Sequence, residues 1–458
     1  MSTDRRSGPQ TPLPPHPKDL PIIGSMPDFA RDILGTIFKG WRTYGDVVRF
    51  RGLNEMCLVA HPDYVKHVLE DRLDIYPRSE PVMKYLRPIM GQGLLLSERD
   101  LWKRQRRTVA PLGHGGHAAA LGAAISAATA ATVERWSGPA QRGEPVDVRG
   151  AMTDLGIDII GRTILGRGRA EALAARIASA IEYAGPRVMM PINPPDRLTP
   201  PGRRYLKTVR EIDQALLQEI GERRRAATPG PDLLSMLAQT RDADTGEPMP
   251  DALVRDETLT AAFGMYKGIP PGLTWALYLL AQHPAVEQTL RAELDRVLAG
   301  RAPTVEDLPR LPYARMVVDE TLRLYPPLWI FSRPAGEDDL IGGYRITKGV
   351  FVLIIPYVTH RHAAFWEQPD TFDPGRFAPD KAAARHPYAY IPFGGGPRGC
   401  VGDELGPMAI CLALAAIAQR YRTKLVAGPP LEQSLEFLLR PKKALLMTLA
   451  PAPPVSAR

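Results

Sequence analysis

Cysteine is scarce in this chain: 458 residues hold three, Cys57, Cys400 and Cys411. Three thiols so far apart make no disulfide framework, and an odd count suits a reducing compartment. Long hydrophobic runs are also missing. No apolar run approaches the roughly 20 residues that a bilayer span needs. The opening stretch "MSTDRRSGPQTPLPPHPKDLPIIG" lacks the continuous apolar core of a secretory signal. Charge of one sign is never concentrated. The formal net charge is +8, but Arg and Lys are interspersed with Asp and Glu, and clusters such as "WKRQRR" (102–107) and "GERRRAA" (221–227) are short. A solvated helix face explains such clusters better than a nucleic-acid surface does, although a basic docking face for an acidic protein partner stays open. Internal repeats and low-complexity tracts are absent. The expectation is a cytoplasmic monomer without a membrane span or a nucleic-acid partner.

What is present is globular: 44% hydrophobic and 24% charged residues. Residues 1–25 read as a Pro-rich extended segment, and residues 26–458 as a single domain, since no linker divides them. β-branched and alternating residues in "DVVRFRGLNEMCLVAHPDYVKHVL" suggest strands leading into a helix, and strand-like composition returns at 340–356. From about 100 to 320 the pattern is mostly helical. Residues 185–202, with six prolines, read as a mobile surface loop. The fold class expected is mainly α with a smaller β portion.

The most specific stretch is "FGGGPRGCVG", Phe393 to Gly402. Its glycines invite comparison with a phosphate loop, but a cysteine stands where that loop ends in Lys-Ser/Thr. The pattern F-x-x-G-x-R-x-C-x-G, matched at Phe393, Gly396, Arg398, Cys400 and Gly402, resembles the haem-ligand loop of the cytochrome P-450 superfamily. The resemblance extends over essentially the whole chain and implies the cytochrome P-450 fold, haem b as cofactor, and Cys400 as axial thiolate ligand to its iron. Backbone N–H groups, a following helix N-terminus and the ferric ion would each favour the thiolate. Thiolate ligation in turn favours O–O cleavage. "ETLRLYPP" places Glu320 and Arg323 on one helix face, three residues apart. In the family such a pair joins a later arginine, here Arg376 in "FDPGRF", as a buried network beneath the haem. Trp102 and Arg106, spaced W-x-x-x-R, resemble the helix that grips a haem propionate. Arg333 and Arg398 match further propionate arginines.

The stretch "FGMYKGIPPG", 263–272, interrupts an otherwise regular helical pattern with three glycines and two prolines. The resemblance sets it across the distal face of the haem, where the family carries an acid followed by an alcohol that help relay protons. Aligned on its flanks, this chain has Lys267 for the acid and Gly268 for the alcohol, with Tyr266 before them. Positioned proton donors are worth about 10²–10⁴ in rate, so their replacement points to atypical oxygen activation. Pro270 and Pro271 are expected to kink or open the helix. Three readings stay open: a monooxygenase that takes protons from water or from the substrate's hydroxyl; a peroxygenase with Lys267 holding a substrate anion; and a redox-neutral isomerase, dehydratase or cyclase. A non-catalytic haem-binding protein is disfavoured by the Cys400 loop. Lys267 itself is either a pocket cation, snorkelled to solvent, or paired with an internal carboxylate.

By the same resemblance, a largely apolar substrate pocket would include Met83, Tyr85, Leu86, Ile89, Met189, Gly264, Leu328, Trp329, Ile330 and Phe437. Such a lining suits a small hydrophobic or amphipathic molecule, as of secondary metabolism, with any anionic group near Lys267. No flavin or iron–sulfur domain is fused to the chain, so electrons would come from a separate ferredoxin and reductase. Lys103, Arg104 and Arg107 offer a basic face for the former.

Overall fold

The computed structural model describes residues 11–52, 54–113, 115–166, 170–190, 193–228 and 230–452, without the side chains of residues 81 and 82. Part of the expected N-terminal segment (1–10), two residues of the Pro-rich stretch (191 and 192) and the last six residues therefore lie outside the described residues. The fold is mainly α with a smaller β portion, and the chain divides into two compact units.

The first unit comprises residues up to Ser79, Trp329–Asp370 and Arg385–Gly399. Its centre is a four-stranded sheet in the spatial order Val47–Phe50, Met56–Val59, Phe351–Ile354, Phe331–Pro334. The first pair is antiparallel with Val48 opposite Leu58, the middle pair parallel with Leu58 beside Leu353, and the outer pair antiparallel with Arg333 opposite Val352. Val47, Val59, Val352 and Ile354 supply the alternating apolar face that such strands need. They pack with Val65, Val68, Tyr76 and Ile391 into one core. Trp329, assigned above to a substrate pocket, is wholly buried here. Asp339 gathers His67 Nε2 at 2.7 Å, the Tyr76 hydroxyl at 2.8 Å and Arg72 at 3.2 Å.

The second unit, Glu80–Leu328, Thr371–Ala384 and Cys400–Arg458, carries most of the helices. Its central helix runs from Asp251 to Gln282, 32 residues, or about 48 Å at 1.5 Å per residue. It is buried from Val254 to Leu280 with few exceptions, so packing on all sides rather than amphipathicity holds it. The helix does not open at Pro270 and Pro271: it is α-helical throughout. Two local adjustments accommodate the rings. Gly156, on the helix Val148–Ile159, leaves the room into which Pro270 fits, since a Cβ there would stand 2.6 Å from the Pro270 Cγ. Thr274 Oγ1 donates to the Pro270 carbonyl at 2.8 Å. Gly272 similarly admits Ile410 from the helix Leu405–Arg420, with 2.6 Å to a notional Cβ.

The Pro-rich stretch is shorter as a loop than its composition suggests. The helix Ala170–Arg187 already contains Pro186, and the helix Pro200–Arg225 begins on Pro200. Proline is compatible with a first turn because that N–H has no helical acceptor, and Thr199 caps the second helix through Gly202 N at 3.1 Å. Between them, Asn193 Nδ2 donates to the Arg187 carbonyl (2.8 Å) and Tyr183 Oη to Asp196 (2.8 Å), tying the connection to the helix before it. Among the described residues one helical stretch, Gly115–Arg142, is long and apolar enough to cross a membrane by length and composition. Its apolar character comes from alanine, and its Gly122 packs against Val305, Met408 and Leu412 of the same unit.

Candidate functional site

The cysteine loop lies at the boundary of the two units, which falls between Gly399 and Cys400. On the first-unit side, Gly394 and Gly396 have φ of 74° and 65°. That left-handed conformation favours glycine, and Gly396 is doubly constrained, because a Cβ would stand 2.3 Å from the Leu69 carbonyl oxygen. Phe393 and Arg398 are half-buried, and Arg333 is buried on its strand. On the second-unit side, Gly402 N donates to Cys400 Sγ at 3.3 Å. Burial pushes the Cys400 thiol up, against the pull of the Gly402 N–H and the Arg106 charge. Yet Cys400 keeps open surface of its own, whereas Cys57 and Cys411 are buried, with thiols pushed up to about 12. A thiol enclosed by protein yet open on one side is placed to meet a ligand. The helix Arg99–Val109 carries Trp102, buried, and Arg106, half-buried, one turn apart.

Glu320, Arg323 and Arg376 meet in the second unit. Glu320 accepts from Arg323 Nε (2.6 Å) and Nη2 (2.8 Å), from Arg376 Nε (3.0 Å) and from the Asp373 backbone N–H (2.9 Å). Both arginines also donate to the Thr371 carbonyl, at 3.1 and 3.2 Å. Glu320 and Arg323 are completely buried and Arg376 nearly so. Charges so buried require this degree of hydrogen bonding. The helix Pro312–Leu324 presents the first two on one face, and the short helix Pro374–Phe377 brings the third.

Lys267 points to a carboxylate rather than to solvent. Its Nζ donates to Glu182 Oε1 (2.5 Å), on the helix Ala170–Arg187. The second oxygen of Glu182 takes Arg440 Nη1 at 3.1 Å, and Arg440 Nη2 reaches Glu436 at 3.2 Å. Arg440 belongs to a two-stranded hairpin, Gln433–Leu435 and Leu439–Pro441. One ionic chain thus joins the central helix, the helix Ala170–Arg187 and the hairpin. Burial lowers the Lys267 ammonium and the Glu182 charge opposes it; the Glu182 carboxyl is held low by Lys267 and Arg440 in spite of its burial. Tyr266, next to it, is buried with its phenol pushed up by desolvation and by Glu182. Gly268 and Gly264 differ from their neighbours: a Cβ at either would meet nothing within 4 Å, and Gly264 is exposed.

The residues named for the substrate pocket differ in burial. Met83, Leu86 and Ile89 on the helix Glu80–Met90 are buried, the latter two almost completely. Tyr85, half-buried, lies beneath the Arg187 guanidinium at 5.8 Å. Met189 is on the outside, while Leu328 and Ile330 are half-buried in the second and first units respectively. Phe437, half-buried, sets its ring edge-on to Phe263 at 5.5 Å, beside Gly185. The basic residues offered for docking are engaged with acids: Arg104 with Asp242 at 3.0 Å, Arg107 with Asp244, and Lys103 with Asp100 at 3.8 Å.

Sequence reasoning missed Glu182, Arg440, Asp256 and Glu257. The last two fasten the segment 91–94 to the central helix. Asp256 accepts from Gln92 N (2.7 Å), and Leu94 N reaches both Glu257 oxygens at 3.1 Å. Gly93 permits this approach, since a Cβ would be 2.1 Å from Thr260 Oγ1. A lone acid in the apolar run "IASAIEYAG" was the available signal for Glu182; nothing local marks Glu257. Burial pushes the Glu257 carboxyl up to about 8, against the Leu94 N–H and with the help of Asp256. Between its unfolded value near 4.5 and about 8 the folded state therefore holds a proton that the unfolded chain releases, and stability falls as pH rises through that window. Glu257→Gln is expected to remove this slope, which is at most about 1.4 kcal/mol per pH unit. Melting temperatures of variant and wild type should match near pH 5 and diverge in the variant's favour by pH 8; parallel curves would place the charge elsewhere.

The family model for cytochrome P450 matches residues 14–448. The chain belongs to the cytochrome P450 family. Cyclooctatin synthase of Streptomyces melanosporofaciens is 33% identical over 450 residues, 95% of this chain and 93% of the relative. Cyclooctat-9-en-7-ol 5-monooxygenase of the same organism is 32% identical over 449 residues, 93% of this chain and 95% of the relative. Pentalenene oxygenase of Streptomyces avermitilis is 29% identical, covering 89% and 90%. The crystal structure of the cytochrome P450DA heme domain has the same fold, with a TM-score of 0.88 over 96% of this chain and 98% of that one at 24% identity. Cytochrome P450 enzymes are oxidoreductases that carry haem b on a cysteine thiolate, and monooxygenase activity is the one favoured for this chain. The chemistry of the residues present fits that group: in the second unit Cys400 is the thiol with open surface, and Trp102 and Arg106 are an aromatic and a cation of the kind a haem propionate needs, as Arg333 and Arg398 are within the first unit.

Proposed function

We propose that this cytochrome P450 inserts oxygen into a small, hydrocarbon-rich metabolite of terpene type, with electrons from a separate ferredoxin and reductase in the cytoplasm. It does so without a side-chain acid–alcohol pair on its central helix. Cys400 would ligate the haem iron, and Trp102, Arg106, Arg333 and Arg398 would hold its propionates. When bound, the haem supplies oxygen activation. The observation that carries the atypical part is the placement of Lys267: its ammonium is bound to Glu182, itself held by Arg440, while Gly268 has no side chain to offer. A proton donor must be free to give and regain its proton at the reacting face; an ammonium in a buried ion pair with a carboxylate is not. Protons for oxygen activation then come from water or from the substrate's own hydroxyl. The names of the relatives support the substrate class, one an unsaturated hydrocarbon by its suffix and another an unsaturated alcohol.

The test supplies purified holoenzyme with a ferredoxin, its reductase and NADPH, and presents polycyclic terpene hydrocarbons and alcohols. A product heavier by one oxygen atom, labelled from ¹⁸O₂ and dependent on reductant, is expected. Turnover of the same compounds under argon without reductant or peroxide would replace this reading with a redox-neutral one, and turnover with peroxide alone would make the enzyme a peroxygenase.

A further inference from the structure

The chain enters the cysteine loop from a segment with little freedom. The Tyr388 N–H donates to His386 Nδ1 at 3.1 Å, Trp366 Nε1 to the Ala389 carbonyl at 3.2 Å, and the Ile391 N–H to His360 Nε2 at 2.8 Å. Tyr388 is buried, so its ring is fixed before any contact with the loop is counted. That ring lies against Gly395, where a Cβ would stand 2.6 Å from Tyr388 Cε1. Its hydroxyl donates to Glu70 Oε2 at 2.5 Å and accepts from the Gly396 N–H.

These contacts converge on the Gly396 peptide. The Leu69 carbonyl closes the side on which a Cβ would lie, and the Gly396 carbonyl accepts from the Gly399 N–H at 2.9 Å. That bond forms the short turn Gly396–Arg398, directly before Cys400 in the chain. Gly399, Gly396 and Tyr388 thus donate in series toward the Glu70 carboxylate, all within the first unit. Donors aligned this way polarise one another. Glu70 keeps 45% of its side chain in solvent, with Lys66 at 3.9 Å, so its charge is partly screened and the buried hydroxyl is the fixed member. The run Gly394–Gly396 has many backbone states open to it and no side chain to select one. Selection has to come from outside the loop.

We propose that Tyr388 is a positioning residue for the cysteine loop: through Gly396 its hydroxyl holds the turn in the conformation that presents Cys400 to the haem iron. This rests on the reading above, in which Cys400 is the axial ligand. Partners behind a metal ligand commonly fix its orientation without touching the metal. The glycines give the loop its tight path, and Tyr388 removes the freedom that they bring with it. Without the hydroxyl, Gly396 loses its acceptor and Glu70 loses this donor. The turn is then free to carry the sulfur out of ligating geometry. Glu70 acts only through Tyr388.

The test follows the ferrous carbon monoxide complex of the holoenzyme, whose red-shifted band requires a thiolate ligand, and it needs no turnover. Tyr388→Phe keeps the ring and removes the oxygen. Its thiolate band, followed in denaturant below the unfolding transition, should decay about five- to fiftyfold faster than in the wild type, while the helical circular dichroism stays constant. Tyr421→Phe is the control, since it deletes another buried hydroxyl, one that donates to the Val133 carbonyl at 3.0 Å in the second unit. It should leave the decay as in the wild type. Glu70→Gln retains an acceptor and should fall between the wild type and Tyr388→Phe, and the double variant should match Tyr388→Phe. An unchanged decay in Tyr388→Phe, or loss of the band only together with the helices, overturns the proposal. Equal acceleration by Tyr421→Phe does so too. A wild type without the band overturns ligation by Cys400 itself, and the positioning role with it, so the two failures are told apart.

Discussion

Glu320→Ala is expected to lower stability by about 3–5 kcal/mol, the loss typical when one partner is removed from a buried ion pair. The reason lies in what remains. Arg323 has no accessible surface, and its Nε and Nη2 both point at Glu320. Arg376 loses the acceptor of its Nε, and the Asp373 N–H is orphaned with it. Two buried guanidinium groups then keep the Thr371 carbonyl but lose the carboxylate that both of them use. Their charges cannot be titrated away, since arginine stays protonated at any accessible pH. Chemical denaturation of the haem-loaded protein measures the loss through the midpoint at constant slope. Glu320→Gln should recover part of it, because a side-chain oxygen still accepts but the charge is gone. A loss below about 1 kcal/mol for the alanine variant would mean that water or another acid reaches the arginines.

Lys267→Met and Lys267→Glu are expected to behave very differently. The methionine leaves Glu182 with Arg440 and with about a third of its side chain in solvent. Its cost is therefore discounted to about 1–2 kcal/mol from the full penalty of a broken buried pair. The glutamate sets two carboxylates within hydrogen-bond distance in a buried place, and should cost more than the methionine or force one of them to stay protonated. Adding Glu182→Lys to Lys267→Glu reverses the pair and should return most of the stability, a positive coupling that a double-mutant cycle reads directly. Activity divides the roles. If Lys267 is a structural cation, Lys267→Met keeps kcat within about fivefold once folded. A fall toward the 10²–10⁴ expected for losing a positioned proton donor would make the ammonium a catalytic group after all. The same geometry bears on restoring an acid to the central helix: Lys267→Glu with Gly268→Thr would meet Glu182 head-on, so a clean restoration must change Glu182 as well.

Local chemistry carried much of this protein. The glycine pattern around Cys400, the three-residue spacing of Glu320 and Arg323, and the long helical run through 251–282 are all properties of neighbouring residues, and a linear chain displays them. Composition likewise determined that helices dominate, because apolar spacing and helix-forming residues act within a few turns. Tertiary structure decided the remainder, and for one physical reason: the partners are far apart in the chain. Whether Lys267 was a pocket cation, a solvated lysine or half of an ion pair depended on Glu182, 85 residues away, and on Arg440 beyond it. Whether two prolines would break the central helix depended on Gly156 leaving room for a ring and on burial from every side. Whether Leu86, Ile89 and Trp329 were pocket wall or core depended on what packed over them. Residue type determines what a side chain is able to do; which charge it meets, and how much water remains around it, is settled by the fold.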